Sequence, residues 1–246
     1  MNKFLHNAQE YTDNRPRYPL NLYDYLTTLI SQTKLVIDCG TGSGQVACDL
    51  TQHFEYVIAT DLSYDLLKTT QKKTNLIYVQ AAAEYLPIRS HTVDMVTIGQ
   101  ALHWFSLDQF YSEVNRIVKP NGIIAAWCYN QCTIDSKIDA LINQIYSLIS
   151  SPENRSIQRQ YVYDHYETIP FPFKRVPTPN FELSVEWNLK ELYGYIATWP
   201  GLLEYEKNTH ANILSQLEEK FISTWGDINV KKIIKWQINL LVGRVI

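Results

Sequence analysis

Residues 36–45 read Val-Ile-Asp-Cys-Gly-Thr-Gly-Ser-Gly-Gln and contain three of the nine glycines of this 246-residue chain. A chain of average composition and this length has about twice as many glycines, so glycine is scarce here and concentrated in one place. Glycine lacks a Cβ, which permits a sharp chain reversal and a close approach of the backbone to a ligand. The stretch predicts a ligand-binding turn between a strand that ends near Asp38 and a helix that begins near Gln45.

From residue 34 to about 129 the chain alternates between short β-branched runs and segments with helical periodicity. Such alternation is typical of β-α-β units around a parallel sheet, and we expect an α/β fold with a mostly parallel sheet. Ser106 and Gln109 have the spacing of a capping box, which predicts the start of a helix that ends before the Lys-Pro-Asn-Gly turn at residues 119–122. The predicted strands cover residues 34–38, 56–60, 76–79, 93–98 and 123–127.

After residue 130 the composition changes. Twelve of the 31 aromatic residues lie between Tyr146 and Tyr205, and four prolines between residues 170 and 179 interrupt any long element. Period-two alternation predicts two half-exposed antiparallel strands, at residues 181–187 and 234–240. Helices are predicted at residues 134–150, 189–198 and 209–224.

The composition excludes several classes of protein. The formal net charge is −3, with 22 Lys and Arg against 25 Asp and Glu and no basic run, so nucleic acid is not an expected partner. The sequence contains no run of about 18 apolar residues, which a membrane-spanning helix would need. The polar N-terminus lacks the apolar region of a signal peptide. The four cysteines, at positions 39, 48, 128 and 132, lack the spacing of zinc ligands. We expect a cytoplasmic protein with reduced thiols, no metal site and no membrane partner.

Three ligand classes compete for the glycine-rich turn. A triphosphate-binding loop requires a Gly-Lys pair, and no lysine follows Gly44. A dinucleotide-binding G-x-G-x-x-G pattern fails from Gly40, but its permissive form fits from Gly42 with Ala47 in the last position. The pattern D-x-G-x-G-x-G fits at every position of residues 38–44. The dinucleotide therefore stays open as an alternative to the ligand that this third pattern indicates.

The pattern at residues 38–44 resembles motif I of the class I S-adenosylmethionine-dependent methyltransferases. The Ala-Glu-Tyr-Leu-Pro run at residues 83–87 is similar to the A-E-x-L-P turn of the same group. Ala-Leu-His-Trp-Phe at residues 101–105 resembles the signature of the type 11 methyltransferases, and residues 116–122 resemble the R-x-L-K-P-G-G turn that follows it, with asparagine in place of one glycine. Residues 11–19 are similar to the Y-x-x-x-R-P-x-Y-P arm of the trans-aconitate methyltransferase-like subset.

This resemblance implies a Rossmann-like fold of four segments, with an antiparallel C-terminal strand and a helical, aromatic-rich cap. Residues 1–33 would form an arm and helix over the cofactor site, residues 34–129 the core, residues 130–208 a cap or substrate-binding insertion, and residues 209–246 a helix and strand that complete the core. The implied cofactor is S-adenosyl-L-methionine, with S-adenosyl-L-homocysteine as its product. The expected partner is a small-molecule methyl acceptor, and the expected state is a monomer or a weak homodimer.

In this family the acid at the end of the first strand, here Asp38, supports the loop or binds the amino group of the cofactor. Asp61 ends the second predicted strand, where a carboxylate accepts two hydrogen bonds from a ribose diol or stabilises the helix that begins near Ser63. Many members have aspartate where this chain has Ala82, so adenine recognition falls to the backbone or to Glu84. The residues expected at the cofactor are Tyr11, Arg15, Asp38, Gly40, Thr41, Gly42, Gly44, Asp61, Leu62, Ala82, Ala83, Glu84 and Gln100.

The resemblance and the sheet topology both draw attention to His103 and Trp104, because open α/β folds bind ligands at the carboxyl edge of the sheet. With a histidine pKa of about 6.5, His103 is the candidate catalytic base for a hydroxyl acceptor. A carboxylate acceptor needs no base, and His103 would then position the substrate or pack on Trp104. Arg15 clamps the methionine carboxylate of the cofactor or pairs with a surface acid, and Tyr11 and Tyr18 face the sulfonium or pack in the core. The residues expected at the substrate are Tyr18, His103 and Trp104.

These observations predict an S-adenosylmethionine-dependent methyltransferase that acts on a small molecule by O-methylation of a carboxylate or a hydroxyl. Two alternatives stay open. One is an NAD(P)-dependent oxidoreductase, and the other is a non-catalytic protein that binds S-adenosylmethionine.

Overall fold

The computed structural model describes residues 15–151 and 157–246, so the predicted role of Tyr11 lies outside the described residues. The helices in this part of the chain are α1 (Leu20–Thr28), α2 (Gln45–Leu50), α3 (Tyr64–Leu67), α4 (Leu107–Ile117), α5 (Ser136–Ile149), α6 (Ile157–Tyr163), α7 (Leu189–Ala197), α8 (Pro200–Thr209) and α9 (Ile213–Trp225). The strands are β1 (Leu35–Cys39), β2 (Tyr56–Asp61), β3 (Leu76–Gln80), β4 (Val93–Gly99), β5 (Val118–Tyr129), β6 (Lys174–Arg175), β7 (Phe181–Trp187) and β8 (Lys232–Arg244), with a 3₁₀ turn at Leu102–Trp104.

The strands form a mixed sheet in the order β3-β2-β1-β4-β5-β8-β6, and β7 also pairs with β8. The pairs among β1 to β5 are parallel, whereas β8 runs antiparallel to β5. Residues 93–98 of the central strand β4 are all buried, as expected for a parallel strand covered on both faces. The predicted Rossmann-like class, mostly parallel with an antiparallel C-terminal strand, is confirmed.

The contacts divide the chain into two compact units. The sheet unit contains residues 17–130, 161–181 and 237–246, and the helical unit contains the described residues among 1–16, 131–160 and 182–236. The sheet unit has a continuous apolar core from β1, β4, β5 and α4, which Tyr166, Ile169 and Phe173 join. The helical unit contains α5, α7, α8 and α9, and Trp187, Tyr195 and Trp236 form its aromatic cluster.

These units differ from the predicted segments in two places. Residues 161–181 were expected in the insertion, but Tyr166 and Phe173 bury their side chains in the core of the sheet unit. The helix α9 was expected to complete that core with β8, but it packs against α5 and α7, and it buries Phe221 and Trp225. Only the second half of β8 therefore completes the sheet unit.

Local signals predicted some helix ends and missed others. The helix α3 begins beside Ser63, as predicted, and the Ser63 side chain caps it by accepting the N–H of Leu66. The capping box at Ser106 is wrong, because the Ser106 side chain makes no capping hydrogen bond in α4. The helix α8 was not predicted, although its Pro200 suits the first position of a helix. Within the described residues, no helix is both long enough and apolar enough to span a membrane.

Candidate active site

The glycine-rich turn follows β1 and leads into α2. Gly40, Gly42 and Gly44 all have left-handed backbone conformations, with φ values of +67°, +57° and +79°. The N–H of Thr41 donates to the carbonyl oxygen of Thr60 in the neighbouring strand β2 at 2.9 Å, and the N–H of Gly44 donates to the carbonyl of Thr41 at 2.9 Å. The turn is thus held by backbone bonds, and its conformation favours glycine at three alternate positions.

The three glycines differ in what surrounds them. A Cβ on Gly40 would lie 2.6 Å from the Cβ of Ala101, and a Cβ on Gly44 would collide with the hydroxyl of Tyr78. A Cβ on Gly42 would meet no atom within 4 Å. Packing within the sheet unit therefore excludes a side chain at Gly40 and Gly44, whereas Gly42 faces open space that a ligand can enter.

Asp38 supports the turn from below. Its side chain is 1% exposed and accepts hydrogen bonds from the hydroxyls of Thr41 and Thr97. Burial raises the pKa of Asp38 to about 7, against the lowering effect of these two hydrogen bonds. Of the two roles that the resemblance implied for Asp38, support of the loop is the one for which the structure provides contacts.

Asp61 joins the end of β2 to the glycine-rich turn. Its Oδ2 accepts the N–H of Gly42 at 2.8 Å, and its Oδ1 accepts the N–H of Ser63 at 2.8 Å. The second bond is the helix-end contact that the sequence left open as an alternative to ribose binding. Because each carboxylate oxygen can accept two hydrogen bonds, the half-buried Asp61 retains acceptor capacity for a diol. The adjacent Leu62 is 70% exposed.

The segment after β3 contains Ala82, Ala83 and Glu84. The N–H of Tyr85 donates to the carbonyl of Ala82 at 3.1 Å, and the side chain of Ala83 is buried in the core. Glu84 Oε1 accepts the N–H of Ser106 at 2.8 Å, so this carboxylate binds the backbone at the start of α4. That bond takes the place of the predicted capping box and ties the segment to the fourth helix.

The same segment is held from its other end by an ion pair in α4. Glu113 Oε1 accepts the N–H of Leu86 at 2.6 Å, and Arg116 donates to the carbonyls of Leu86 and Ile88. Arg116 Nε also lies 2.7 Å from Glu113 Oε2, and this contact keeps the pKa of Glu113 below its usual value. The backbone that leads from β3 to β4 is therefore fixed on one helix.

Gln100 and the 3₁₀ turn at Leu102–Trp104 follow β4. Gln100 has a φ of +57°, and its side-chain amide donates to the carbonyl of Tyr129 at 2.8 Å. His103 is buried, its Nδ1 lies 2.9 Å from the hydroxyl of Tyr166, and its ring lies 4.8 Å from that of Trp104. Trp104 itself is 37% exposed. A buried imidazole and an exposed indole thus stand together at the carboxyl edge of the sheet.

The two remaining predicted residues lie in different units. Tyr18 belongs to the sheet unit, where it is buried edge-on against Trp127 at 5.5 Å. Arg15 belongs to the helical unit, where its guanidinium lies 5.3 Å from the ring centre of Tyr195 and donates to the carbonyl of Thr198 at 3.3 Å. These contacts correspond to the core-packing interpretation of Tyr18 and give Arg15 partners that the sequence did not indicate.

Sequence reasoning missed Tyr166 and Thr97. Tyr166 lies 63 positions from His103 in a segment with no recognisable motif, so no local signal could have paired them. Thr97 was recognisable only as the β4 residue that lies opposite Asp38 once the strand register is known. Among the residues that the structure describes, no group of three or more potential ligands is arranged to hold a metal ion.

Comparison with known proteins identifies the family. A family model described as a methyltransferase domain matches residues 37–126. A Dictyostelium discoideum protein assigned as a methyltransferase is 28% identical over 227 residues, which cover 91% of this chain and 86% of that protein. A Saccharomyces cerevisiae protein assigned as an S-adenosylmethionine-dependent methyltransferase is 32% identical over 140 residues, which cover 53% of this chain and 48% of that protein.

A solved structure gives the most extensive match among these. It comes from Anaeromyxobacter dehalogenans, is assigned as a type II methyltransferase and is 30% identical, with a TM-score of 0.87 over 94% of this chain and 98% of that one. The match decides between the cofactors left open at the glycine-rich turn, because the family uses S-adenosylmethionine and not a dinucleotide. The chain belongs to the class I S-adenosylmethionine-dependent methyltransferases.

Proposed function

We propose that this methyltransferase transfers the methyl group of S-adenosylmethionine to an oxygen atom of a small molecule, either a carboxylate or a hydroxyl. The observation that carries the proposal is the glycine-rich turn, where Gly42 faces open space and its N–H is fixed by Asp61. A ligand that approaches Gly42 passes within reach of the carboxylate of Asp61. A carboxylate in this position can accept strong hydrogen bonds from the two hydroxyls of a ribose diol.

The residues of the chain fit the cofactor in separate tasks. Asp61 would accept the ribose hydroxyls, the turn at Gly40, Thr41, Gly42 and Gly44 would contact the methionine part, and Asp38 would keep the turn in place. Leu62, Ala82, Ala83, Glu84 and Gln100 would surround the adenine and ribose. The cofactor supplies a methyl group already activated by a positive sulfur, so the protein has to align the acceptor and exclude water.

The acceptor would bind beside His103, Trp104 and Tyr18. Trp104 offers a half-exposed apolar surface, and His103 offers a buried polar group at the same edge. A net charge of −3 without a basic run favours a small molecule over nucleic acid. The arm pattern at residues 11–19 adds support for the trans-aconitate methyltransferase-like subset, and we further propose a cytoplasmic monomer or weak homodimer.

The test uses the purified chain with S-adenosylmethionine labelled in the methyl group and a metabolite extract freed of macromolecules. We expect the label to appear in small molecules. Alkaline treatment should then release the label from a methyl ester but not from a methyl ether, which distinguishes a carboxylate acceptor from a hydroxyl acceptor. The variant Asp61→Ala is the matched control and should transfer little label. A parallel reaction contains protein and nucleic acid in place of the extract. Label found only in that reaction would overturn the proposal, and so would binding of S-adenosylhomocysteine without any methyl transfer.

A further inference from the structure

A tyrosine from outside the sequence motifs lies against the His103 turn. The hydroxyl of Tyr166 lies 2.9 Å from Nδ1 of His103, and Tyr166 is completely buried. Tyr166 has a φ of +63°, in the left-handed region that a bulky residue rarely adopts. The chain thus keeps an unfavourable backbone conformation at the residue that places a phenol beside the imidazole.

The surroundings of the phenol decide which atom donates. Burial raises the pKa of Tyr166 well above its usual value, so the phenol keeps its proton. A buried hydroxyl whose proton meets no acceptor is costly, so the phenol O–H must donate to a neighbour. Among the residues that the structure describes, the acceptor at hydrogen-bond distance from this hydroxyl is Nδ1 of His103.

We propose that Tyr166 is a positioning residue that fixes His103 in the tautomer with the proton on Nε2. Nδ1 accepts the phenol proton, and Nε2 of the neutral ring is then a hydrogen-bond donor. Because Nε2 already carries a proton, it cannot remove the proton of a hydroxyl group on the methyl acceptor. It can instead donate a hydrogen bond to an oxygen atom of that acceptor and so orient the oxygen lone pair for attack on the methyl group. Of the three roles open to His103, this excludes the catalytic base, and a donor at Nε2 favours substrate positioning over packing alone. That last step rests on the proposed function, whereas the tautomer does not.

Nuclear magnetic resonance of the ¹⁵N-labelled histidine rings tests the tautomer directly. Long-range proton–nitrogen correlations at about pH 8, where an ordinary histidine is neutral, distinguish the two neutral forms. The chain has six histidines, and His103→Asn assigns the relevant signals. We expect the wild-type His103 ring in the Nε2–H form alone and, in Tyr166→Phe, a mixture of the two forms.

The matched control is Tyr111→Phe, which removes another buried phenol of the same core whose hydroxyl donates to the carbonyl of Pro170. We expect the His103 signals of this variant to equal those of the wild type. An Nδ1–H ring in the wild type would overturn the proposal, as would an unchanged ring in Tyr166→Phe. If Tyr166→Phe does not fold, the wild-type spectrum still decides. Because the spectrum needs no methyl acceptor, a failure of the proposed function would not affect it.

Discussion

At the scale of single residues, the three glycines of one sequence motif are required for different physical reasons. The pattern D-x-G-x-G-x-G predicted the turn, but it could not separate Gly44, excluded from bearing a side chain by Tyr78, from Gly42, which faces open space. That distinction depends on Tyr78, which lies far from both in sequence. The pairing of His103 with Tyr166 was equally out of reach, because neither residue type nor spacing indicates it.

Gly42→Ala, compared with a control variant, should distinguish the effect of backbone strain on stability from the effect of the new side chain on ligand affinity. The new side chain meets no protein atom, so we expect a loss of about 1–2 kcal/mol in the free energy of unfolding from the left-handed backbone, together with a loss of S-adenosylhomocysteine affinity. Gly226→Ala is the matched control, since Gly226 has a φ of +87° and also faces open space. It should lose stability while its affinity stays unchanged. Equal affinities of the two variants, measured by calorimetry, would contradict a ligand at Gly42.

Asp38→Asn should change how stability depends on pH. The pKa of Asp38 in the folded chain is about 7 and its usual value is 3.8, so between these values the folded state binds a proton that the unfolded state has released. The contribution of Asp38 to the free energy of unfolding therefore falls as pH rises through this window, by at most about 4 kcal/mol. Urea unfolding at about pH 5 and about pH 8 should show a smaller decrease, or none, in Asp38→Asn. Equal pH dependence of the two proteins would refute the raised pKa.

His103→Gln and His103→Ala should differ if His103 donates a hydrogen bond. The glutamine amide can donate from a position near that of Nε2, but it cannot accept a proton at neutral pH. We expect kcat/KM of the glutamine variant to stay within about tenfold of the wild type and that of the alanine variant to fall by about a hundredfold. The labelled-methyl assay with the acceptor fraction measures both. A glutamine variant as inactive as the alanine variant would favour a base.

At the scale of secondary structure, the five parallel strands and the strong helices α4, α5 and α7 were predictable from periodicity alone. Elements whose position depends on other parts of the fold could not be predicted in this way. The short α6 has no buried residues, and β6 is two residues long, so neither has a hydrophobic period to detect. The start of α4 follows a carboxylate from another segment, Glu84, instead of its own Ser106 side chain.

Glu113→Gln should loosen the segment after β3. Glu113 binds both Arg116 and the N–H of Leu86, so we expect the free energy of unfolding to fall by about 1–3 kcal/mol. Amide hydrogen exchange of residues 81–88 should accelerate more than that of β4. Asp65→Asn, which removes a half-exposed pair with Lys68, is the control and should change stability by less than about 1 kcal/mol. Unchanged exchange at residues 81–88 in Glu113→Gln would show that the ion pair does not hold this segment.

At the scale of the whole molecule, the sequence predicted the fold class and the family but misplaced the division of the chain. The segment 161–181 was grouped with the insertion by its prolines and aromatic residues, although its buried side chains belong to the core of the sheet unit. The composition of a segment shows that its residues are apolar, but it does not indicate whether they pack in the core of the sheet unit or in that of the helical unit. The site residues from Asp38 to Trp104 all lie in the sheet unit, which is why motifs there were informative.

We expect the turn at Gly42 and Asp61 to bind the nucleoside of S-adenosylmethionine. Titration calorimetry with S-adenosylhomocysteine measures this binding, with NADH in a parallel titration. We predict one site per chain with micromolar affinity, no binding of NADH, and an affinity at least about tenfold weaker in Asp61→Ala than in the control Asp65→Ala. A folded wild-type chain that binds no S-adenosylhomocysteine at high micromolar concentration, or that binds NADH instead, would contradict this expectation.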